Sequence, residues 1–335
     1  MQINQDILKG QNQMKKQMDQ IQNYIKDKGY QLVDSIQKNK DKLTCTFLKQ
    51  RKQFRLKGVF IQQQKYREQF LKILKTIQKN PHQNVAQIYE VTQKDDIIIY
   101  SHEQYRYTLQ NLEEFKNEPN FNMKQIAIDI LNGIIFLHSL GISHLNLKPS
   151  NILIDYKGNK FQAKIADLYY EAKQECDEDQ IYQGPEQLKN MNTRNVSFQS
   201  DYYSVGALLC EILGFDYKKN RENIQQGYIP IIEDTTDDSL QLSFSLDMMQ
   251  YSQTRRFTPA QTLETFQNDN QPKQQNENCK LILAISLLIL PILIVVLFSN
   301  IIINSIKLQL RQQKLRILNF SFIFRNKYVK EIMKV

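Results

Sequence analysis

Cysteine is scarce in this sequence, and the start of the chain holds no apolar run. The four cysteines, Cys45, Cys176, Cys210 and Cys279, lie far apart and form no C-x-x-C pair. That spacing excludes a disulfide framework and a cysteine zinc site, and it fits a reducing compartment. The polar residues after Met1 leave no hydrophobic segment for a secretory signal, so the N-terminal part is expected to stay in the cytosol. Charge is missing from one long stretch: no Asp, Glu, Lys or Arg lies between Lys280 and Lys307. Acid is nearly missing beyond it. Residues 304–335 carry Lys307, Arg311, Lys314, Arg316, Arg325, Lys327, Lys330 and Lys334 against Glu331 alone, which is +7 of the chain's net +9. The remaining +2 over residues 1–303 does not support a basic nucleic-acid-binding face, so no nucleic acid partner is expected.

The uncharged stretch reads LILAISLLILPILIVVLFSNIII over residues 281–303. About 20 apolar residues in a helix cross a bilayer core, and this run is long enough even with Pro291 inside it. A single transmembrane helix is expected there; the alternative is a buried core helix. The basic tail beside it points to anionic lipid. Four Lys/Arg follow the run within 15 residues and two precede it, a bias that favours a cytosolic tail. The missing signal instead places the large N-terminal domain in the cytosol, and a re-entrant segment would satisfy both. Cys279, just before the run, is either inert or a palmitoylation site.

The remaining chain is long enough for one domain of two lobes, with 41% of all 335 residues hydrophobic. Residues 1–29 are Gln-rich. Met14, Met18, Ile21 and Ile25 recur at helical spacing there, as a short coiled coil, a helix lying on the domain, or a frayed extension. From Tyr30 to Ile61 the runs YQLVDSIQ, KLTCTFLKQ and QFRLKGVFI read as strands. Tyr66, Phe70, Ile73, Leu74 and Ile77 then mark a helix that stops at Asn80-Pro81. VAQIYEV and DIIIYS add two strands, and Phe121–Leu140 is an amphipathic helix that Gly141 is placed to end. Residues 268–280 form a polar linker.

Residues 138–155 read HSLGISHLNLKPSNILID. This resembles the catalytic loop of the protein kinase superfamily, H-R-D-L-K-P-x-N. Further matches follow in family order: Ile165-Ala166-Asp167-Leu168-Tyr169 at the D-F-G motif, Gly184-Pro185-Glu186 at A-P-E, Asp201-Tyr202-Tyr203-Ser204-Val205-Gly206 at D-x-W-S-x-G, and Arg255-Arg256-Phe257-Thr258 at the late Arg element. The resemblance covers residues 30–267 and implies an α+β, bilobal, protein-kinase-like fold: a small antiparallel five-stranded lobe with one helix, and a larger helical lobe. The order of strands followed by helices agrees.

The resemblance also implies a set of roles. Asp167 and Asn151 match the two metal-binding positions, and Lys148 matches a lysine that contacts the transferring phosphate in Ser/Thr-type members. Lys57, in Phe54-Arg55-Leu56-Lys57, matches the lysine of the third strand that reaches the α/β-phosphates. ATP with Mg²⁺ is therefore the implied ligand, and a weak one, because several parts are altered. Asn146 stands where the family has its catalytic Asp, and a carboxamide cannot accept the substrate's proton; loss of a general base costs on the order of 10²–10⁴ in rate. Leu145 replaces the Arg that receives a phosphorylated activation loop. Ser35–Lys42 holds no glycine where the family has G-x-G-x-x-G, so side chains obstruct the phosphates. Its Lys38, Lys40 and Lys42 are either phosphate-attracting charges or a solvated turn. Arg55 replaces a small residue that borders the adenine. Phe70 takes the place of the helix Glu that pairs with the strand lysine, and Glu68, two residues earlier, points about 200° away. Tyr169 replaces the Gly of D-F-G, and the following segment is acidic (Glu171, Glu175, Asp177, Glu178, Asp179). Glu186 and Arg256 match a structural ion pair, and Asp201 matches a residue that steadies the catalytic loop.

Three functional readings follow. The first is a membrane-anchored pseudokinase, facing the cytosol, that scaffolds or allosterically biases a protein partner such as an active kinase. The second is an active Ser/Thr protein kinase working without the usual base. The third is a structural membrane protein that binds no nucleotide.

Overall fold

Alternating apolar and polar residues build an antiparallel sheet near the start of the chain. Its strands are β1 (Gln31–Leu32), β2 (Gln37–Asn39), β3 (Lys42–Lys49), β4 (Lys52–Phe60), β5 (Ile88–Lys94) and β6 (Ile97–Glu103), in the order β1-β3-β4-β6-β5 with β2 also on β3. The family resemblance implies five strands; the sheet has six because the first is split. Asp34 causes the break. Its carboxylate accepts the Thr46 backbone N–H at 2.6 Å and the Thr46 hydroxyl at 2.9 Å, so a side chain stands in for a ladder bond. The computed structural model describes residues 2–39, 42–168, 179–189, 197–230 and 237–267. These belong to one compact unit, Met1–Asp269; a second unit, Asn270–Val335, lies outside them.

One face of the sheet is apolar: Leu43, Cys45, Phe47, Phe54, Leu56, Phe60, Ile97 and Ile99. Left bare, this patch would favour association. Helix α1 (Gln2–Asp27) covers it with Ile21 and Ile25, both buried, and with Met18 and Tyr24. Each such burial stabilises by roughly 1.5–3 kcal/mol. The N-terminal residues are thus a helix lying on the domain. Gly58 permits the close approach: a Cβ there would meet Ile21 Cδ1 at 2.6 Å and Ile97 Cδ1 at 2.9 Å. A polar clasp holds the end of α1. Tyr24 Oη donates to Glu90 Oε2 at 2.8 Å, Lys49 Nζ donates to Glu90 Oε1 at 2.6 Å, and Tyr30 Oη also donates to Glu90.

Helix α2 (Gln64–Lys79) buries Phe70, Leu74 and Ile77 and ends at Asn80, before Pro81. Beyond it lie β7 (Tyr107–Thr108), α3 (Leu112–Phe115), α4 (Met123–Ser139), and the hairpin β8 (Ile152–Lys157) and β9 (Lys160–Ile165), which forms a second sheet with β7. Then come α5 (Pro185–Lys189), α6 (Phe198–Ile212), α7 (Tyr217–Gln225), α8 (Asp237–Asp247) and α9 (Pro259–Gln267). Asn122 caps α4 by accepting the Gln125 N–H at 3.1 Å. Gly141 follows the helix at φ +73°, the left-handed conformation that glycine adopts without a steric cost. A large core runs from α2 through α4, β8, β9, α6 and α9. The α+β bilobal expectation is met.

The linker at 268–280, the apolar run at 281–303 and the tail at 304–335 lie outside the described residues. Among the described residues, no helix is long and apolar enough to cross a membrane. Cys45 and Cys210 are both buried free thiols.

Burial raises the carboxyl pKa of Glu90, but the bonds from Lys49, Tyr30 and Tyr24 outweigh it, and the net direction is down. A depressed carboxyl adds stability above the unfolded value of about 4.3 and loses it as pH falls through the folded value. Denaturant titrations from pH 6 to pH 3 are expected to show this loss in the native chain. Glu90→Gln should be less stable at pH 6 and show a shallower acid slope; an unchanged slope would mean the clasp is idle.

Candidate active site

The cleft lies where the inner face of the first sheet meets the loop before β8. Strand pairing decides which side chains share that face, because directly opposed residues point the same way. Thr44 pairs with Lys57 and Thr46 with Arg55, while Lys57 pairs with Tyr100 and Arg55 with His102. Lys42, two residues before Thr44, is on the same side.

Lys57 is buried and forms an ion pair with Asp167 Oδ1. Burial pushes the Lys57 pKa down. Burial also acts to raise that of Asp167, but the Lys57 charge, followed by that of Lys42, overcomes it and holds the carboxyl well below its usual range. Tyr100 Oη lies 3.4 Å from the same oxygen. The helix glutamate that would compete for Lys57 is absent. Phe70 is buried instead, edge-on to Tyr100 with ring centroids 6.1 Å apart. Glu68 takes a bond from Gln64 at 2.7 Å on the exposed side of α2.

The loop brings the other candidates together. Asn146 Nδ2 donates to the Asp167 carbonyl at 3.0 Å, and Asn151 Nδ2 donates to the Asn146 carbonyl at 2.7 Å. Ala166 N–H donates to the Asn151 carbonyl at 2.9 Å. His144 Nε2 donates to the Ala166 carbonyl at 2.8 Å, a packing and bridging role. Lys148 leads into the turn Pro149–Asn151. Leu145 and Asp167 sit at φ 58° and 61°, a region costly for side chains larger than Gly or Asn. Asp201 holds the loop in this shape. It is fully buried and accepts His144 N–H at 2.8 Å, Leu145 N–H at 2.7 Å and a contact from His138 Nε2 at 2.8 Å.

Arg55 turns toward β3. It contacts Asp34 Oδ2 and Thr46 Oγ1, each at 3.3 Å, and donates to Thr44 Oγ1 at 3.0 Å. The solvated-turn reading needs correction at Lys42, which faces the cleft, whereas Lys38 is exposed and bonds to Gln17. Arg256 binds Glu186 through both oxygens at 2.7 and 2.8 Å, with further bonds to the carbonyls of Gln199 and Gln250. Tyr169 and the acids from Glu171 to Glu178 lie outside the described residues.

Sequence reasoning missed Asp34, Tyr100 and His102. Tyr100 and His102 were discoverable only through the β4–β6 register, since their parity relative to Lys57 depends on it. Mg²⁺ requires several hard oxygen ligands. The described residues offer the Asp167 carboxylate, already engaged by Lys57, and the Asn151 amide; they contain no cluster of three His, Cys, Asp or Glu suited to a metal. Asp167 and Asn151 are the described side chains that would hold a divalent cation, with phosphate and water oxygens completing its shell.

The protein kinase domain family matches residues 37–267, more than half of the chain. Similar proteins include a serine/threonine-protein kinase/endoribonuclease IRE1 of Oryza sativa subsp. japonica, 27% identical over 38% of this chain and 17% of that protein. A probable protein kinase of Dictyostelium discoideum is 30% identical over 42% of this chain and 40% of that protein. The serine/threonine-protein kinase ICK of Rattus norvegicus is 28% identical over 42% and 23%. The chain thus spans less than half the length of these relatives.

Removing one partner of a buried ion pair typically costs about 3–5 kcal/mol, because the other charge is left uncompensated. Asp167→Asn is expected to destabilise the chain by about that amount. Lys57→Met combined with Asp167→Asn should recover much of the loss. Urea denaturation of the single and double variants measures this; strictly additive losses would mean the pair does not couple.

Proposed function

The chain belongs to the protein kinase domain family, and on that premise we propose that it is a membrane-anchored, catalytically impaired member acting as a scaffold or allosteric partner. The observation that carries this reading is Asn146. At the position of the family's general base it holds a carboxamide, whose Nδ2 is committed to the Asp167 carbonyl. A carboxamide takes up no proton at neutral pH, so the step that removes the substrate hydroxyl proton lacks its acceptor. Two further observations agree. Lys57 has no helix glutamate, because α2 presents buried Phe70 there, and Ser35–Lys42 contains no glycine. The scaffold around the site is intact, with the Arg256–Glu186 pair and the Asp201 clamp both formed. A domain that keeps its rigid large lobe and loses its base is suited to binding a protein partner, such as an active kinase.

The retained Asp167, Asn151 and Lys148 favour one competing reading, a slow Ser/Thr-type kinase. Phosphoryl transfer depends mostly on positioning and charge, so some rate survives the loss of a base. The membrane component rests on sequence: the uncharged run 281–303 would span a bilayer once, the +7 tail would meet anionic lipid, and the kinase-like domain would face the cytosol.

A phosphotransfer assay tests the enzymatic half. The full chain with Mg²⁺, labelled ATP and a generic Ser/Thr substrate is expected to incorporate no label above the Lys57→Met, Asp167→Asn double variant. Incorporation that disappears in the double variant would show an active kinase. Flotation with vesicles tests the membrane half. The full chain should rise with phosphatidylserine vesicles and resist a salt wash, whereas a deletion of 281–303 should not; equal recovery of both would remove the anchor from the reading.

A further inference from the structure

Cations gather far from the cleft, where β3 turns into β4. Lys49 and Lys52 are directly opposite each other in the ladder, with Gln50 and Arg51 between them. Like charges so opposed destabilise a hairpin. The turn is strained as well. Gln50 and Arg51 stand at φ 50° and 67°, a left-handed region that Asn and Gly fill at least cost in a two-residue turn. Glu90 offsets Lys49 through a bond at 2.6 Å. Arg51 and Lys52 are exposed and form no ion pair among the described residues. Lys28, also exposed, follows α1 with its ammonium 5.8 Å over the Tyr24 ring, and Tyr24 reaches the same Glu90. The described carboxylates at this end are Glu90, which takes three donors, Asp27, next to Lys28 in the chain, and Glu103, which holds Lys157. Arg51 and Lys52 are left without a counter-charge.

A second, independent observation is apolar. Leu32 lies opposite Phe47 on the face that α1 covers, yet it is 41% exposed. Tyr30 stacks on Phe47 with ring centroids 4.5 Å apart, Phe47 on Phe54 at 5.5 Å, and Tyr89 closes the row edge-on to Phe54 at 5.0 Å. The register of β5 against β6 shifts between Ile88 and Glu90. That bulge turns Tyr89 outward, where it is 45% exposed. Helix α1 thus leaves Leu32 and Tyr89 bare at the two ends of an aromatic row. Lys49 Nζ, 5.3 Å over the Tyr30 ring, joins the row to the cations of the turn.

Apolar side chains set among cations suit the interfacial zone of an anionic bilayer, where charged headgroups meet Lys and Arg and tyrosine rings sit at headgroup level. A polyanion answers the charge but leaves Leu32 in water. The sequence itself supplies a bilayer, since residues 268–280 lead from this domain to the apolar run 281–303. We propose that the β3–β4 turn and its aromatic row dock the small lobe on anionic phospholipid, with Lys28, Arg51 and Lys52 on the headgroups and Leu32 and Tyr89 at the interface. The inference rests on the membrane reading given above and adds to it the face that meets the lipid. A small lobe held in this way leaves the large lobe open to a protein partner.

The test is hydrogen exchange read by mass spectrometry on the full chain at low salt, with vesicles of phosphatidylcholine alone or mixed with phosphatidylserine. A peptide spanning Gln50 and Arg51 is expected to gain protection with the anionic vesicles and none with phosphatidylcholine alone. Arg51→Gly combined with Lys52→Gln is expected to keep its thermal stability, because neither side chain forms an ion pair among the described residues and glycine adopts φ 67° freely. The lipid concentration for half protection should rise about 25-fold in this variant, fivefold for each cation removed. The basic tail is the same in both proteins, so the difference belongs to the turn. Absent protection with anionic vesicles overturns the proposal, as does equal protection with phosphatidylcholine or an unchanged midpoint in the variant. Protection by an RNA oligonucleotide or polyglutamate, and not by vesicles, assigns the face to another class of partner and overturns it too. Flotation reports the anchor separately. Turn protection in the 281–303 deletion decides the docking even where the anchor fails.

Discussion

Asp201 is fully buried near the start of α6, where its carboxylate accepts the backbone N–H groups of His144 and Leu145 and lies against His138 Nε2. The whole cleft depends on that clamp. Leu145 is held at φ 58°, a conformation that costs of order 1–3 kcal/mol for a non-glycine residue and persists only where the surroundings over-determine it. With the loop so bent, Asn146 reaches the Asp167 carbonyl and Asn151 reaches the Asn146 carbonyl. Asp167 itself stands at φ 61°, which aims its carboxylate across the cleft at Lys57. One rigid carboxylate in the large lobe thereby sets the position of a lysine's partner in the small one.

The two lobes are joined at the site by the Lys57–Asp167 pair. In this chain nothing on α2 competes for Lys57. The helix is held by packing, with Phe70, Leu74 and Ile77 in the core and Phe70 edge-on to Tyr100. An apolar anchor is insensitive to charge, so α2 is not coupled to the cleft by an ion pair that could open and close. The outer face of the sheet is equally committed. Helix α1 covers it down to van der Waals contact at Gly58, and the Glu90 clasp holds the end of that helix. Both sides of β4 are thus fixed, and the lysine it carries has little freedom to move. Packing on one face and the ion pair on the other thus hold β4 between α1 and the large lobe.

Charge in the cleft follows from losses and gains in distant parts of the chain. The carboxylates implied by the family at the base and on the helix are replaced by Asn146 and Phe70, and the glycine turn is replaced by a lysine-bearing one. Each change is modest alone. Together they remove two carboxylates and the glycine turn from the site that the family resemblance implies.

Much of this was legible in the sequence because it depended on residue identity at local spacing. The loop at 138–155, the missing glycines at 35–42, Asn146 and the helix ending at Gly141 are all contained within short segments, where covalent spacing alone sets the geometry. The N-terminal helix was legible as a helix, since the stripe Met14, Met18, Ile21, Ile25 repeats with the helical period, but its partner was not. Tertiary structure decided that partner, and likewise that Lys57 binds Asp167, 110 residues away, that Asp34 splits the first strand and draws off Arg55, and that Lys42 faces inward. Those outcomes turn on strand register and on packing between remote segments. A slip of one residue would send Lys42, Arg55, Lys57 and His102 to the opposite face. No local pattern encodes the register; it is selected by burying Phe47, Leu56 and Ile99 under α1 on the other side of the sheet.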